Sequence, residues 1–386
     1  MSTPEKDAII SGLGISRIGR RTGIPALELT VESCRQAVAD AGLTLDQIDG
    51  LTSLGDTPPL QASEALGIDA RYHGGGFDSG GLLAPVMSAF LAVASGRARH
   101  VLVYRTVQMM GGEYVLDDGE GEPGAGMDSL KRVMVDIDEM LAANAFSAVN
   151  WLAMHCRRHM DLYGTTKEQL GWLAVSSRSK AALNPLAVYR DPITIDDYLR
   201  ARPISTPFGL LDCDVPVDGS IALVISHADY ANDGPNPAVR VEAIGGTPGL
   251  GGWFHRPDYP RMASIDAARE MWSRTDLRPT DIDVAELYDG FTFLTLAWLE
   301  ALGICGEGEG GPFLDGGARI ALDGELPLNT YGGQLSAGRM HGYWVLHEAC
   351  LQLRGQAGER QVGGSPEVAV VSVGGGPIAG CVLLTR

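Results

Sequence analysis

Two short segments hold the side chains best suited to moving protons. The first is Tyr288-Asp289-Gly290-Phe291, and the second runs Gly332-Gly333-Gln334-Leu335-Ser336-Ala337-Gly338-Arg339-Met340-His341-Gly342-Tyr343. A phenol has a reference pKa of about 10, far nearer to that of an alcohol than a carboxylate's is. Two phenols in one site can therefore take a proton from a hydroxyl and give one to carbon, provided the surroundings bring a phenolate within reach near neutral pH. Tyr288 and Tyr343 are the candidate acid and base, with the order between them open. Asp289 and His341 are candidates to orient a phenol or to donate to an oxyanion. For either tyrosine, a core side chain with its hydroxyl satisfied is the plainer alternative.

Other polar clusters carry less. Asp78 and Ser79 follow Gly74-Gly75-Gly76 and read either as a turn with an aspartate capping a helix start or as substrate contacts. Asp212, Asp214 and Asp218 have the look of a hard-metal set, yet Asp218-Gly219 also reads as a structural turn. His155 and His159 stand four apart with neither an H-E-x-x-H pattern nor a third ligand, so no metal is expected. The glycine runs at 74–76 and 374–376 lack dinucleotide-loop spacing. Arg105, Arg190, Arg202 and Arg339 are assigned by default to surface ion pairs, with phosphate contact as the alternative. Six scattered cysteines contain no C-x-x-C pair, which argues against structural zinc and a disulfide framework and fits a reducing cytoplasm.

These residues need a frame. With 386 residues and 45% hydrophobic content the chain can bury one large core or two ordinary ones. A net charge of -18 sets it against nucleic acid, although helix N-termini and backbone amides can still bind an anionic ligand locally. No basic n-region precedes an apolar stretch and no run of about 18 apolar residues occurs, so the expectation is a soluble cytoplasmic protein.

A faint duplication organises the chain. Residues 40–51 echo residues 275–287, each copy following a helical stretch (Ala26 to Ala41, Ser264 to Ser273) and leading into a strand. Near-continuous apolar runs at His100–Arg105 and Val368–Val373 read as strands covered on both faces. Ala84–Ala94 and Gly342–Leu353 read as buried helices, each after a glycine-rich turn. The expected class is α/β, with halves at 1–233 and 234–386 divided near Gly234-Pro235-Asn236-Pro237. Residues 109–184 read as an inserted cap that shapes a pocket or a subunit contact.

Several segments together resemble the thiolase superfamily, in its lipid-transfer-protein branch. Ser205-Thr206-Pro207-Phe208 with Cys213 and Asp218-Gly219-Ser220-Ile221-Ala222 is similar to the stretch that closes the first half there. Glu286-Leu287-Tyr288-Asp289-Gly290-Phe291 resembles the E-x-N-E-A-F loop, Gly332-Gly333 through Gly342 the G-H-P turn, and Ser372-Val373-Gly374-Gly375-Gly376 the C-x-G-G-G motif. The resemblance implies two pseudo-symmetric α/β halves in an α-β-α-β-α sandwich, and a homodimer. The departures from it are chemical. No cysteine stands in Gly74 to Gly81, Gly338-Arg339-Met340 replaces G-H-P, and Ser372 replaces the second cysteine. Acyl transfer through an enzyme thioester is then excluded unless Ser79 substitutes.

What remains resembles the steroid aldolases of that branch, on Arg99 to Val107, Asn184-Pro185, Tyr189-Arg190-Asp191-Pro192, Tyr288 to Phe293 and His341-Gly342-Tyr343. That resemblance implies retro-aldol cleavage of a β-hydroxyacyl-CoA steroid side chain to a 17-keto steroid and a short acyl-CoA such as propionyl-CoA. It implies no cofactor beyond the thioester, which Ser79 and the backbone of Gly374, Gly375 and Gly376 would contact. It also implies a partner, the OB-fold, zinc-ribbon-containing domain of an enoyl-CoA hydratase. Two alternatives stand beside it: a retired thiolase-like acyl-CoA-binding scaffold, and an acyltransferase.

Overall fold

The structure, a computed structural model, describes residues 3–55, 57–75, 81–110, 136–247 and 252–386. Its strands are β1 (Ala8–Ile15), β2 (Gly50–Ser53), β3 (Tyr72–Gly75), β4 (His100–Gln108), β5 (Pro203–Ser205), β6 (Phe208–Gly209), β7 (Asp218–His227), β8 (Val239–Gly246), β9 (Val284–Glu286), β10 (Val368–Gly375) and β11 (Ile378–Thr385). Nine of them form one mixed sheet in the order β3-β2-β4-β7-β1-β8-β11-β10-β9. From the β1/β8 junction outward the order repeats: β1-β7-β4-β2 on one side matches β8-β11-β10-β9 on the other, with the same antiparallel and parallel pairings. β4, β7, β10 and β11 are buried along nearly their whole length, which is why their sequences run apolar without alternation.

The helices are α1 (Ala26–Asp40), α2 (Pro59–Leu66), α3 (Ala84–Ala94), α4 (Ile137–Ala142), α5 (Ala148–Tyr163), α6 (Lys167–Ala181), α7 (Ile195–Leu199), α8 (Ser264–Trp272), α9 (Thr292–Ala301), α10 (Gly310–Leu314) and α11 (Tyr343–Arg354). α1 lies on β1 and β7, and α8 lies on β8 and β11. Both approaches are close enough to demand glycine. A Cβ on Gly14 of β1 would stand 2.0 Å from the Ser33 carbonyl oxygen of α1, and one on Gly245 of β8 would stand 2.0 Å from that of Ala267 in α8. The echoed segments occupy equivalent places, each a short 3-10 turn (Leu45–Gln47, Pro279–Asp281) feeding a strand (β2, β9). α11 touches β9 and β10 as well as β7 and β1, and residues 81–83, which open α3, touch β10 and β11. These two helices therefore form the middle layer between strands of the two runs, and the α/β layering expected from the sequence is what the chain adopts.

Within residues 136–184, α4, α5 and α6 are regular helices, with capping boxes opening α5 and α6. α6 packs on α9, α10 and the turn at 333–337, so this segment forms one wall of the site. Among the described residues no helix is long and apolar enough to cross a membrane.

Candidate active site

The end of β10 brings the two tyrosine segments together. Ser372 Oγ accepts the Tyr288 amide N–H at 3.2 Å, and the next residue, Val373, lies against Gly342, where a Cβ would stand 2.3 Å from Val373 Cγ2. Tyr288 follows β9, the neighbour of β10, and Tyr343 is the first residue of α11. Two adjacent side chains of one strand thus fix both loops.

Asp289 ties the loops to each other. Its carboxylate accepts the amides of Gln334 at 2.8 Å and Leu335 at 3.4 Å, at the start of a π-helical turn over Gly333–Ala337. Gly333 is needed there: its φ is +63°, and a Cβ would fall 1.9 Å from Asp289 Oδ2. Burial raises the Asp289 pKa to about 6, with the two amides opposing. Asp289 is a structural brace with both oxygens occupied by backbone donors.

A third segment threads between these two. Asp214 N donates to Gly290 O, Val215 N to Gln334 O, and Arg339 N to Val215 O. This places Asp214 beside the Tyr288 phenol and 3.3 Å from Arg339 Nη1. Burial lifts the Asp214 pKa to about 7, against the pull of Arg339. The Tyr288 phenol is held well above its ordinary pKa, first by burial and then by the Asp214 carboxylate, with Arg339 opposing. Asp214 also lines a cavity of about 260 Å³ whose wall includes Arg20, Arg178, Tyr189, Leu211 and Leu335.

Tyr343 occupies a different niche. It is fully buried, and among the described residues its hydroxyl has no hydrogen-bond partner. Burial raises its pKa too, but the charged neighbour is the Arg105 guanidinium, which lowers it. Arg105 donates to the Leu54 carbonyl at 2.6 Å and to His341 Nδ1 at 2.6 Å. His341 holds a left-handed φ of +50°, and enclosure together with Arg105 and Arg339 keeps its imidazole well below the ordinary pKa. The niches are thus joined in a chain: Tyr343, Arg105, His341, Arg339, Asp214, Tyr288.

Several expectations need correction. Both phenols are pushed up, not down, because neither has enough positive charge to offset burial, so the resting site holds neutral tyrosines. Arg105 and Arg339 are not surface ion pairs: Arg105 is 8% exposed and faces the site, and Arg339 pairs with Asp214 inside it. Arg190 is exposed but bonds the Ala182 carbonyl, with no ion pair among the described residues. The acidic set divides by role. Asp212 accepts from Lys167, Tyr198, Thr292 and the Gly209 amide, and Asp218 from the Thr22 and Met110 amides, leaving Asp214 for the site. His155 bonds the carbonyls of Trp253 and Pro260, and His159 lies against Glu300 and Thr165. Among the described residues no cluster could hold a metal ion.

Gly374 and Gly375 end β10, paired with Ala379 and Ile378 of β11, and Gly376 opens the two-residue turn between the strands. The Gly376 amide points at the Met262 sulfur, 3.1 Å away, and the Gly374 carbonyl accepts Trp298 Nε1. Asp78 and Ser79 lie outside the described residues. Sequence reasoning weighed Asp214 only as part of a metal-like acidic set and did not foresee the contact of Arg105 with His341. The one signal for Asp214 was its place in the closing stretch Asp212 to Asp218.

Residues 252–384 match the family described as thiolase C-terminal domain-like. The 17-hydroxy-3-oxo-4-pregnene-20-carboxyl-CoA lyase of Mycobacterium tuberculosis is 35% identical, over 97% of this chain and 98% of that protein. A steroid side-chain-cleaving aldolase of Thermomonospora curvata is 33% identical over 99% of each. The solved Ltp2-ChsH2(DUF35) aldolase superposes with a TM-score of 0.87 at 30% identity, covering 99% of this chain and 98% of that one.

Proposed function

The chain belongs to the thiolase superfamily, in the branch of the steroid side-chain aldolases, and is a carbon–carbon lyase; on that footing we propose its substrate, its acid and base, and its partner. The substrate is a 17-hydroxy steroid whose short side chain ends in a CoA thioester. Cleavage between the carbinol carbon and the α-carbon gives a 17-keto steroid and propionyl-CoA. The named relative's substrate carries that hydroxyl and that thioester, which is the arrangement a retro-aldol reaction needs.

The carrying observation is the Tyr343 hydroxyl, buried without a described partner and facing a guanidinium. An unpartnered buried hydroxyl costs about 1–3 kcal/mol; the buried Tyr331 hydroxyl also lacks a described partner but faces carboxylates, so the guanidinium beside Tyr343 is what sets it apart. In the proposed reaction the substrate hydroxyl loses its proton to the Tyr288 and Asp214 pair, the C–C bond breaks, and its electrons become the thioester enolate. Tyr343 then gives its proton to the α-carbon, and Arg105 stabilises the phenolate left behind. Asp214 has gained the proton that Tyr343 has lost, and exchange with water restores both. No covalent adduct forms. Ser372, the counterpart of the second thiolase cysteine, accepts the Tyr288 amide and so serves the loop that carries Tyr288.

The solved neighbour is named as Ltp2 together with ChsH2(DUF35), an aldolase joined to a DUF35 domain. We accordingly assign to this chain a partner OB-fold domain of an enoyl-CoA hydratase, and a homodimeric core. The test is to incubate the chain, with and without that domain, with the 17-hydroxy steroid CoA thioester. Equal amounts of 17-ketone and propionyl-CoA, with no acyl-enzyme adduct by mass spectrometry, are expected. Tight binding without turnover would leave a retired scaffold, and a trapped adduct would restore the acyltransferase reading.

A further inference from the structure

From the contact between β4 and the turn before α11 we infer that Arg105 is a positioning residue: it locks His341 as the neutral tautomer with its proton on Nε2, which makes His341 a fixed hydrogen-bond donor to the enolate oxygen and not a base. This rests on the aldolase reading for its role, but the tautomer itself does not.

The argument begins with the donor inventory. A guanidinium only donates, so an imidazole nitrogen 2.6 Å from Arg105 Nη2 must be unprotonated, and that nitrogen is Nδ1. A neutral ring then carries its single proton on Nε2. Among the described residues Nε2 has no hydrogen-bond partner, so its N–H is available to a ligand.

The charges around the ring agree. Arg105 on β4 and Arg339 two residues upstream both oppose a second proton, and the Arg339 charge is itself held in place by Asp214. The backbone is committed as well. His341 sits at φ +50° and Gly342 at +91°, a turn that presents the ring to Arg105 just before α11 starts on Tyr343. Arg105 in turn is set by its bond to the Leu54 carbonyl and by Gly55, where a Cβ would fall 2.2 Å from Nη1. Leu54, Gly55, Arg105, His341 and Tyr343 therefore form one assembly around the buried phenol.

A neutral imidazole donor suits an enolate. It keeps its proton while the oxygen becomes basic, so it can stabilise the anion without quenching it at the wrong atom. The sequence hides this partnership because the two residues are 236 positions apart.

The test uses the full chain with its partner domain, labelled with nitrogen-15 at histidine, and His341→Gln to assign the signal. The wild-type His341 signal is expected to show one tautomer, protonated at Nε2, unchanged from about pH 5.5 to about 8.5, a range that spans the ordinary histidine pKa. In Arg105→Met the same signal should titrate or show mixed tautomers, while kcat falls about a hundredfold with KM within about threefold. Arg105→Lys keeps the charge and can still donate, so it should recover a good part of both readouts even if the methionine variant folds poorly. A wild-type ring protonated at Nδ1, or one that titrates near pH 6.5, would overturn the inference. So would a methionine variant with an unmoved signal and unchanged kcat. The signal needs no substrate, so failure of the steroid thioester to react would count against the aldolase reading alone.

Discussion

The two tyrosines share burial and differ in the sign of the charge they face. Tyr288 looks onto carboxylates, with Asp214 foremost, and Tyr343 looks onto Arg105. Burial alone would make both inert, since it disfavours the phenolate in each. The charges separate them. A phenolate at Tyr343 gains a cation, whereas one at Tyr288 would meet an anion. Tyr343 is therefore the group that can lose a proton, and Tyr288 the one that can hold its own unless a neighbouring carboxylate takes it. One fold anchors the two phenol-bearing loops on adjacent residues of β10, Ser372 and Val373, and gives the phenols opposite surroundings.

The sharpest way to break that contrast is to delete the Tyr343 hydroxyl. Tyr343→Phe should lower kcat by about a hundredfold or more, the usual scale for a positioned proton donor. It should leave the melting temperature unchanged or higher, because the deleted hydroxyl has no described partner. A steady-state assay beside a thermal melt checks both. Normal turnover removes Tyr343 from the mechanism, and a large loss of stability makes it a structural residue.

The Tyr288 niche can be broken through its brace. Gly333→Ala places a methyl group on the Asp289 carboxylate at a left-handed φ, so stability should fall by about 2–4 kcal/mol in urea denaturation. Asp214→Asn sharpens the contrast by pH instead. In the wild type Asp214 must be ionised to accept a proton, so kcat/KM should fall as pH drops through about 7. The asparagine variant should lose about tenfold in rate and lose that acid limb with it. A limb that persists unchanged assigns it to another group.

How much of this the sequence disclosed follows from distance along the chain. α3 falls where its apolar run placed it, and α1, α8 and α11 within a residue, because helix periodicity is local. Tyr288, Asp289, His341 and Tyr343 could be picked out as candidates because each stands in a segment with its own pattern of glycine and polar residues, and the fold brings those two segments together on β10. Arg105 could not be, since an arginine at the end of an apolar strand reads as the point where the strand meets water. In the fold β4 lies inside the sheet and runs on to Gln108, so Arg105 is an internal residue of the strand, and its guanidinium reaches His341. Asp214 was hidden among three aspartates of equal appearance, and only the bonds from its neighbours to Gly290 and Gln334 single it out. The upward direction of the phenol pKa values was also out of reach, because it depends on burial that no local pattern reports.

The smallest effect tests whether the two niches are separate. Ser372→Ala removes the acceptor for the Tyr288 amide and leaves that N–H buried, a loss of about 1 kcal/mol by the usual worth of such a bond. The Val373 contact with Gly342 is untouched, so the Tyr343 niche should keep its geometry. If Ser372 acts only by placing Tyr288, its rate loss should be about fivefold. It should combine less than additively with Asp214→Asn, which disables the same proton acceptor, and additively with Tyr343→Phe. The cycle is read from kcat/KM of the single and double variants at one pH above 7. Strong coupling between Ser372 and Tyr343 would mean that β10 moves the two phenols as one unit, and the division into an acid niche and an acceptor niche would then have to be replaced by a single shared site.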